Sequence, residues 1–295
     1  MINFTLRQLR YFEALAQHGH FGRAAEACAI SQPALSIQIK ELEETLGTAL
    51  FERGARSVRL SGFGEEFALR VRDILRATED LGSMAQSANN QLSGRLRLGV
   101  IPTIAPYLLP KLIGGLNREY PSLDILVRET MTSKLLTALG EGKLDVAILA
   151  LPISDPALEE MPLFDEEFVL VRPSADASKP VPSPAKLREM RLLLLEEGHC
   201  FRDQALSFCD IPTAVPRDGF DGSSLSTLVQ MVGAGMGITL IPEMAVNVET
   251  LSADVSVARF GDPKPTRTVG MIWRKTSPLA AQLPKVGEII LNAAR

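Results

Sequence analysis

Cysteine and long apolar runs are both scarce in this sequence. It has only three cysteines, Cys28, Cys200 and Cys209, in 295 residues. That is too few for a disulfide-stabilised scaffold, and in a reducing compartment a cysteine pair is more often catalytic, metal-binding or redox-sensing. No uninterrupted apolar run approaches the roughly 20 residues that a membrane span needs. The N-terminus carries charge early and lacks the pattern of a secretory signal. We therefore expect a cytoplasmic protein with no membrane partner.

The chain also lacks the excess of positive charge that is typical of proteins that coat nucleic acids. Its formal net charge is −4, which argues against non-specific binding of nucleic acid and leaves room for a local basic surface. Hydrophobic residues make up 46% of the chain and charged residues 22%, as in ordinary soluble globular proteins. The length suits about two domains.

Residues 5–47 predict three short helices. Apolar residues recur at helical spacing in the first helix, and the second is short and rich in alanine. The third begins at the N-cap residue Ser31, has Pro33 in its first turn and ends at Gly47. The segment ALFERGARSVRLSGFG follows and predicts two short β pieces around a turn. This pattern indicates a helix–turn–helix with a wing.

In such a motif the third helix enters the major groove, where its first residues contact base edges and the others contact phosphates. Glutamine can bond bidentately to adenine, serine can contact base or phosphate, and wing arginines can neutralise phosphates. For each residue, a solvated position on an amphipathic helix is an equally weighted alternative. The candidate DNA-binding residues are Ser31, Gln32, Pro33, Ser36, Gln38, Lys40, Arg53 and Arg56, with Arg59 as a further wing arginine.

Residues 61–92 predict one long helix. Its patterning favours a linker or dimerisation helix over a helix that packs only on the core of its own domain. The coiled-coil-like seam consists of Phe67, Val71, Ile74, Leu75, Thr78 and Leu81.

Beyond residue 92 the composition changes to short runs rich in leucine, valine and isoleucine, with helical stretches between most of them. Alternating strands and helices indicate an α/β body with a parallel sheet. We therefore predict a winged helix–turn–helix DNA-binding domain at 1–60, a linker and dimerisation helix at 61–92, and a regulatory domain at 93–295.

The segment LLLLEEGHCFRDQALSFCD, residues 192–210, places Cys200 at a predicted strand-to-helix turn. A helix N-terminus carries partial positive charge that favours a thiolate, and the neighbouring His199 and Arg202 can add to it. A thiolate attacks peroxide to give a sulfenic acid, which condenses with a second thiol. These residues therefore make a redox pair one hypothesis for the segment.

The second thiol of the segment, Cys209, lies nine residues beyond Cys200. In an α-helix that separation is about 13 Å, whereas a disulfide needs Cα atoms roughly 4.4 to 6.8 Å apart. If the segment is helical when reduced, the bond forms only when the helix unwinds. The residues alone leave another interpretation open, since a cysteine is often a small buried hydrophobe, as expected for Cys28. The spacing does not suit a metal site, and we expect none.

The run SQPALSIQIKELEETLGTALFER, together with the preceding helices, resembles the winged helix–turn–helix of LysR-type transcriptional regulators. The resemblance extends over the whole chain. It implies an α/β protein with an all-α, winged head, a long linker helix, and two α/β subdomains resembling periplasmic binding proteins. Subdomain I would span about 93–164 and 268–295, and subdomain II about 165–267. The implied partners are operator DNA, RNA polymerase and further copies of the chain, as a homodimer through the linker helix or a homotetramer.

Within that family, GHCFRDQALSFC resembles the sensing segment of the members that respond to hydrogen peroxide. The resemblance implies that Cys200 is the peroxidatic cysteine and Cys209 the resolving one. Threonine and histidine suit a peroxide site because they supply hydrogen-bond donors and acceptors beside the thiolate. The implied residues of the peroxide pocket are Thr103, Thr132, His199, Arg202, Asp203 and Arg267.

The resemblance therefore implies a peroxide-sensing transcriptional activator, without a cofactor, whose oxidation alters DNA binding and switches on antioxidant genes. One alternative is a LysR-type regulator gated by a small organic effector in the cleft between the subdomains. A thiol peroxidase is the other alternative, and the DNA-binding head argues against an enzyme. The stretch DIPTAVPRDGF, residues 210–220, is rich in proline and differs from the family pattern.

Overall fold

The computed structural model describes residues 3–53, 58–87, 92–209 and 221–294. Contacts within the chain separate it into two compact units, Met1–Ala85 and Gln86–Arg295. Among the described residues, no helix is both long enough and apolar enough to span a membrane.

The first unit is a helical domain with a two-stranded wing. Its strands pair antiparallel, with Phe51 opposite Leu60. The buried side chains come from all three short helices and include Phe12, Leu15 and Ile39. Its elements are α1 (Leu6–His18), α2 (Phe21–Ala27), α3 (Gln32–Leu46), β1 (Phe51–Arg53), β2 (Val58–Leu60) and α4 (Gly62–Ser87).

Capping side chains set the ends of the short helices. The Thr5 hydroxyl accepts from the Gln8 amide at 3.2 Å, while the Gln8 side chain accepts from the Thr5 amide at 2.9 Å. Ser31 caps α3 by accepting from the Ala34 amide at 3.4 Å. Gly47 ends that helix with a φ of 71°, a conformation that costs glycine little. The predicted start and end of the third helix are confirmed.

The long helix α4 packs partly on the core of its own unit. Val71 and Leu75 are buried in that core, whereas Ile74 and Leu81 are 42% and 65% exposed. At 100° per residue, the six residues of the predicted seam spread over an arc of about 120° around the helix axis. This arc is wider than one contact face. The core of the first unit covers Val71 and Leu75, so the six residues do not form one continuous stripe on the surface. Ile74 and Leu81 lie on its exposed side.

The second unit contains the remaining strands and helices. In chain order they are β3 (Gly94–Val100), α5 (Ala105–Glu119), β4 (Leu123–Glu129), α6 (Thr132–Gly140), β5 (Val146–Leu151), β6 (Leu158–Pro173), α7 (Pro184–Leu187), β7 (Leu194–Leu195), α8 (Cys200–Phe208), β8 (Asp221–Gly222), α9 (Leu225–Gly233), β9 (Thr239–Pro242), α10 (Val246–Glu249), β10 (Val255–Arg259), β11 (Thr266–Arg274) and α11 (Leu283–Ala294).

The sheet of this unit is mixed, whereas the sequence predicted a parallel one. Strands β4, β3 and β5 pair parallel. Strand β11 pairs antiparallel with both β5 and β6, and β6 pairs antiparallel with β9 and β10. The difference arises because β6 passes from one half of the unit to the other and β11 returns beside it. Such a return requires opposite strand directions.

Two separate hydrophobic cores occupy the two halves of this unit. Core A lies around β3, β5, α5 and α11 and contains Leu98, Ile148 and Ile272. Core B lies around the second part of β6, with β9, α8 and α9, and contains Leu170 and Leu240. The two α/β halves implied by the family resemblance are therefore present, and β6 and β11 connect them.

The core of the first unit provides a stability test. We expect Ile39→Ala to lower the free energy of unfolding of this unit by about 2–5 kcal/mol, because it leaves a cavity under a residue that is 1% exposed. Amide hydrogen exchange of α1 in the full chain measures the loss of protection.

The matched control is Ile37→Ala, on the same helix, because Ile37 is 56% exposed. Protection of α1 in that variant should change by no more than about 0.5 kcal/mol. Equal losses in the two variants would contradict the assignment of the buried face.

Candidate functional site

The first turn of α3 is the most open part of the predicted DNA-reading surface. Ser31, Gln32, Pro33 and Lys40 are exposed, and Ser36 is half-buried, as is Gln38. Further along the helix, Gln38 donates to Glu41 at 2.7 Å and Lys40 lies 3.5 Å from Glu44. The residues of the first turn are therefore better placed for base contacts than Gln38 and Lys40, which are engaged with carboxylates.

The wing contributes one described arginine to this surface. Arg59 lies on β2 and is exposed. Arg56 and the side chain of Arg53 lie outside the described residues, as does the proline-rich stretch 210–220.

Cys200 is the first residue of α8, and Cys209 follows its last residue. The predicted strand-to-helix turn and the helix between the two cysteines are confirmed. Neither thiol is part of a disulfide, and nine residues of helix hold them about 13 Å apart. This conformation is therefore incompatible with a bond between them.

The two thiols pack against different cores. Cys200 is half-buried and contacts core A, whereas Cys209 is fully buried within core B. Between them, Phe201 stacks edge to face on Phe168 and Phe208 on Phe260, with ring centroids 4.8 and 5.0 Å apart. Helix α8 is thus anchored in core B while Cys200 at its N-terminus touches core A.

The turn before Cys200 depends on a glycine. Gly198 has a φ of 96°, and a methyl group there would lie 2.8 Å from the sulfur of Met131. Only glycine fits that position without strain. The tight turn brings His199 and Cys200 to the N-terminus of α8, where amide groups and the helix dipole favour an anion.

A cavity of about 310 Å³ lies beside this turn, between the two halves of the unit. Thr103 and Met131 line it from the first half, and His199 and Ser226 line it from the second. His199 is 6% exposed, and burial lowers its pKa, against a smaller opposing effect of the Glu196 charge. The imidazole is therefore neutral at neutral pH and can donate one hydrogen bond and accept another.

Thr103 is held by a buried arginine. Arg267 donates from Nη1 to the Thr103 hydroxyl at 2.7 Å and from Nη2 to the Thr103 carbonyl at 3.0 Å. Its charge is compensated by Glu166, whose Oε2 accepts from Nε at 2.7 Å. The guanidinium also lies over the ring of Phe201, 5.6 Å from the centroid. Arg267 therefore connects the cavity wall to the first turn of α8.

Thr132 is the first residue of α6, directly after Met131. Its hydroxyl is buried and has no hydrogen-bond partner among the described residues. Buried polar groups are rarely left without a partner. The hydrogen-bonding capacity of this hydroxyl is therefore unused by the described residues.

The other predicted pocket residues lie further from the cavity. Arg202 donates to the carbonyl of Leu195 at 2.8 Å and so ties α8 to β7. Asp203 is exposed in the first turn of α8. Among the described residues that line the cavity, Thr103 and His199 are the only two of the six predicted ones.

Sequence reasoning missed four polar residues of this region. Glu249 accepts from the Tyr107 hydroxyl at 2.7 Å and from the Ser226 hydroxyl at 2.5 Å, which joins the two halves of the unit. Glu166 is the fourth. One signal was available, since Glu166 and Arg267 are charged residues close to the apolar runs of their β segments. Their partnership was not visible because it depends on strand pairing.

A metal ion has no evident site in the part of the chain that the structure describes. No group of three or more histidine, cysteine, aspartate or glutamate side chains there is placed to bind one.

The turn at Gly198 can be tested by Gly198→Ala. We expect the free energy of unfolding of the second unit to fall by about 1–3 kcal/mol, because the new methyl group meets Met131 at a backbone conformation that alanine avoids. Urea denaturation followed by the fluorescence of Trp273, the single tryptophan, measures the change.

The control is Gly114→Ala in α5, where an added methyl group meets nothing within 4 Å. This variant should be about 0.5–1 kcal/mol more stable than wild type, because alanine favours a helix. An unchanged midpoint for Gly198→Ala would show that the turn tolerates a side chain.

Comparison with known proteins identifies the family. Residues 6–65 match the model of bacterial regulatory helix–turn–helix proteins of the lysR family, and residues 89–295 match the LysR substrate-binding domain. A probable hydrogen peroxide-inducible genes activator of Streptomyces viridosporus is 44% identical over 296 residues, 99% of this chain and 95% of the relative. The transcriptional dual regulator OxyR of Escherichia coli is 42% identical, over 97% of this chain and 94% of the relative.

Solved structures give the same result. A full-length cysteine-to-aspartate variant of OxyR from Pseudomonas aeruginosa matches with a TM-score of 0.78 at 38% identity, over 98% of this chain and 95% of that one. A peroxide-bound cysteine-to-serine mutant of Corynebacterium glutamicum OxyR matches with a TM-score of 0.67 at 38% identity, over 98% and 92%. The chain therefore belongs to the LysR family of bacterial regulatory helix–turn–helix proteins.

Proposed function

We infer that this chain is a DNA-binding transcriptional regulator that senses hydrogen peroxide, and we propose that Cys200 is oxidised and Cys209 forms the disulfide with it. The observation that carries the proposal is the placement of the two cysteines, which are not bonded to each other. One is half-buried at a helix N-terminus near a polar cavity, and the other is buried at the far end of the same helix.

The chemistry begins at Cys200. Its thiolate attacks one oxygen of peroxide and breaks the O–O bond. The sulfur becomes a sulfenic acid, and the second oxygen leaves as hydroxide, which takes up the proton that the thiol had released and becomes water. Thr103, Thr132 and neutral His199 offer hydrogen bonds to the peroxide and to the leaving oxygen. The sulfenic acid then condenses with the Cys209 thiol and releases a second water.

Disulfide formation must remodel α8. The helix holds the cysteines about 13 Å apart, so residues between them leave helical geometry before the sulfurs can meet. Phe201 and Leu206 are buried in core B, and the removal of each from the core costs about 1.5–3 kcal/mol. The covalent bond offsets this cost. The helical and the disulfide-bonded forms are therefore two alternative states, as a redox switch requires.

The remaining parts of the proposal concern assembly and output. A DNA-binding domain at 1–60 contacts the operator through the first turn of α3 and the wing. The linker helix at 61–92 mediates a homodimer through its exposed face, which carries Ile74 and Leu81. A homotetramer then binds DNA in the cytoplasm, and the oxidised regulatory domain at 93–295 activates antioxidant genes through contact with RNA polymerase. Arg202, Asp203 and Arg267 support the sensing segment around the pocket.

A second candidate function is regulation by a small organic effector. The cavity supports it, because a volume of about 310 Å³ is far larger than the roughly 30 Å³ that a water-sized molecule occupies. Polar groups from both halves of the unit line this cavity, which suits an organic acid or alcohol. The thiol pair favours peroxide over this alternative, and the DNA-binding head argues against a thiol peroxidase.

Thiol counting tests the proposal. A slight excess of hydrogen peroxide should remove two of the three thiols of the reduced chain, whereas Cys200→Ser should lose none. Cys209→Ser should lose one thiol and accumulate a sulfenic acid, because its resolving thiol is missing. Alkylation of the remaining thiols followed by mass spectrometry measures each result.

Cys28→Ser is the matched control and should still lose two thiols, because burial raises the pKa of Cys28 and so disfavours its thiolate. A wild-type chain that keeps all three thiols, but melts at a higher temperature with an organic acid, would instead support the effector-gated regulator.

DNA contact is tested by Gln32→Ala. Operator affinity should fall by about 1–3 kcal/mol, the contribution of one good bidentate base contact. The rate of thiol oxidation should stay unchanged. Fluorescence anisotropy with a duplex that the wild-type chain selects from a random-sequence pool measures the affinity.

The control is Gln17→Ala, an exposed glutamine on α1 that hydrogen-bonds to Glu13. We expect it to bind DNA like wild type. Equal affinity of wild type and Gln32→Ala would remove Gln32 from the reading surface.

A further inference from the structure

Glu166 and Arg267 form a buried ion pair behind the cavity wall. The residues lie directly opposite each other on the antiparallel strands β6 and β11. Their side chains are 4% and 0% exposed, and Nη2 of Arg267 lies 2.6 Å from Oε2 of Glu166. Nε of the arginine donates to the same oxygen at 2.7 Å. The carboxylate thus accepts hydrogen bonds from two of the five guanidinium N–H groups and fixes the plane of the guanidinium group.

The other oxygen of Glu166 is also occupied. Its Oε1 accepts from the backbone amide of Met244 at 3.2 Å. Glu166 is therefore held by backbone on one side and holds Arg267 on the other, and it cannot turn without the loss of both. Burial raises the pKa of this carboxyl and the charge of Arg267 opposes that rise, so the pairing supports the ionised form.

The orientation of Arg267 decides which way the Thr103 hydroxyl points. Arg267 donates to this hydroxyl at 2.7 Å, and a guanidinium has no atom that can accept a hydrogen bond. The hydroxyl hydrogen must therefore point away from Arg267. Within the described parts of the chain it has no other partner, and Thr103 lines the cavity. Its hydrogen is thus left for a molecule bound there.

We propose that Glu166 is a positioning residue for the reaction with peroxide, which acts through Arg267 to keep the Thr103 hydroxyl a donor towards the cavity. This inference rests on the proposed function. As the Cys200 thiolate attacks, negative charge develops on the leaving oxygen of peroxide. A donor that is already aimed at that oxygen stabilises the transition state more than one that must first reorient.

A carboxylate at position 166 is needed for this arrangement. An amide of the same shape leaves the guanidinium as a buried cation without a compensating charge, which is costly. The uncompensated charge then favours a reorientation of Arg267 towards other acceptors. One such acceptor is the carboxylate of Glu249, which hydrogen-bonds to Tyr107 at the same cavity. In either case Thr103 loses the neighbour that directs its hydrogen.

The test compares two rate constants of Cys200 in the full-length chain. One is for oxidation by hydrogen peroxide and the other is for alkylation by iodoacetamide, which needs no donor for a leaving oxygen. We expect Glu166→Gln to slow oxidation about tenfold, or about 1.4 kcal/mol, while alkylation stays within about twofold of wild type. Thr103→Val should lose a similar factor. The double variant should be no slower than Thr103→Val alone, because the two residues act through one hydrogen bond.

The matched control is Glu167→Gln, the next residue on β6. Glu167 pairs with Lys264 at 2.8 Å on the surface, with the side chains 38% and 40% exposed. Both rate constants of this variant should equal those of wild type.

Several outcomes would overturn the inference. They are a Glu166→Gln variant as fast as wild type with peroxide, equal slowing of oxidation and alkylation, or losses that multiply in the double variant. If Glu166→Gln does not fold, Glu166→Asp takes its place. Aspartate keeps the charge but is one methylene too short to reach both Arg267 and the Met244 amide, so the same pattern is expected with at least about a threefold loss.

The same measurements separate this inference from the proposed function. A wild-type chain that loses no thiol to peroxide would refute both. If wild type reacts and loses two thiols while Glu166→Gln is equally fast, the role of Glu166 is refuted and the peroxide-sensing function stands.

Discussion

An α-helix of fixed rise keeps the two thiols of this protein apart. Cys200 and Cys209 lie at opposite ends of α8, and no rotation of side chains can bring the sulfurs together across about 13 Å. The helix is anchored in core B, while the thiol at its N-terminus contacts core A. Any bond between the cysteines must therefore change the helix, its packing in core B, and the contact that joins the two halves of the regulatory unit.

The surroundings of Cys200 combine rigidity and polarity. Gly198 permits the sharp turn that leads into α8. A cavity with hydroxyl and imidazole groups lies beside it. Behind the cavity wall, the strands that cross between the halves carry Glu166 and Arg267. The two strands that connect the halves thus also carry the ion pair that holds Thr103 at the cavity wall.

The same layout explains how one cavity supports two hypotheses about function. Its volume and polar lining suit an organic effector. A hydroxyl without a partner on Thr132 and a directed one on Thr103 suit a much smaller polar molecule. The free thiol at the adjacent helix N-terminus adds a chemical step that an effector would not need. We therefore favour hydrogen peroxide over an organic effector as the molecule to which this protein responds.

Local patterns in the sequence determined much of the fold. Ser31 and Gly47 marked the ends of α3 because caps act within a few residues. The spacing of the cysteines predicted that helix and disulfide exclude each other, because the rise of a helix is the same in every protein. The family motifs in the head predicted the two-unit architecture, and the comparisons confirm the family.

Tertiary structure alone decided the remainder, because those features depend on which segments meet. Strand directions in the second unit became mixed because β11 returns beside β6. The predicted apolar seam of α4 was divided because the core of the first unit buries Val71 and Leu75 on one side of it. Of the predicted pocket residues, Thr103 and His199 line the cavity whereas Asp203 is exposed. Glu166 escaped prediction because its partner lies 101 residues away in the chain. The helix that separates the two cysteines was readable from the sequence, while the polar groups around the cavity were visible only after the strands had paired.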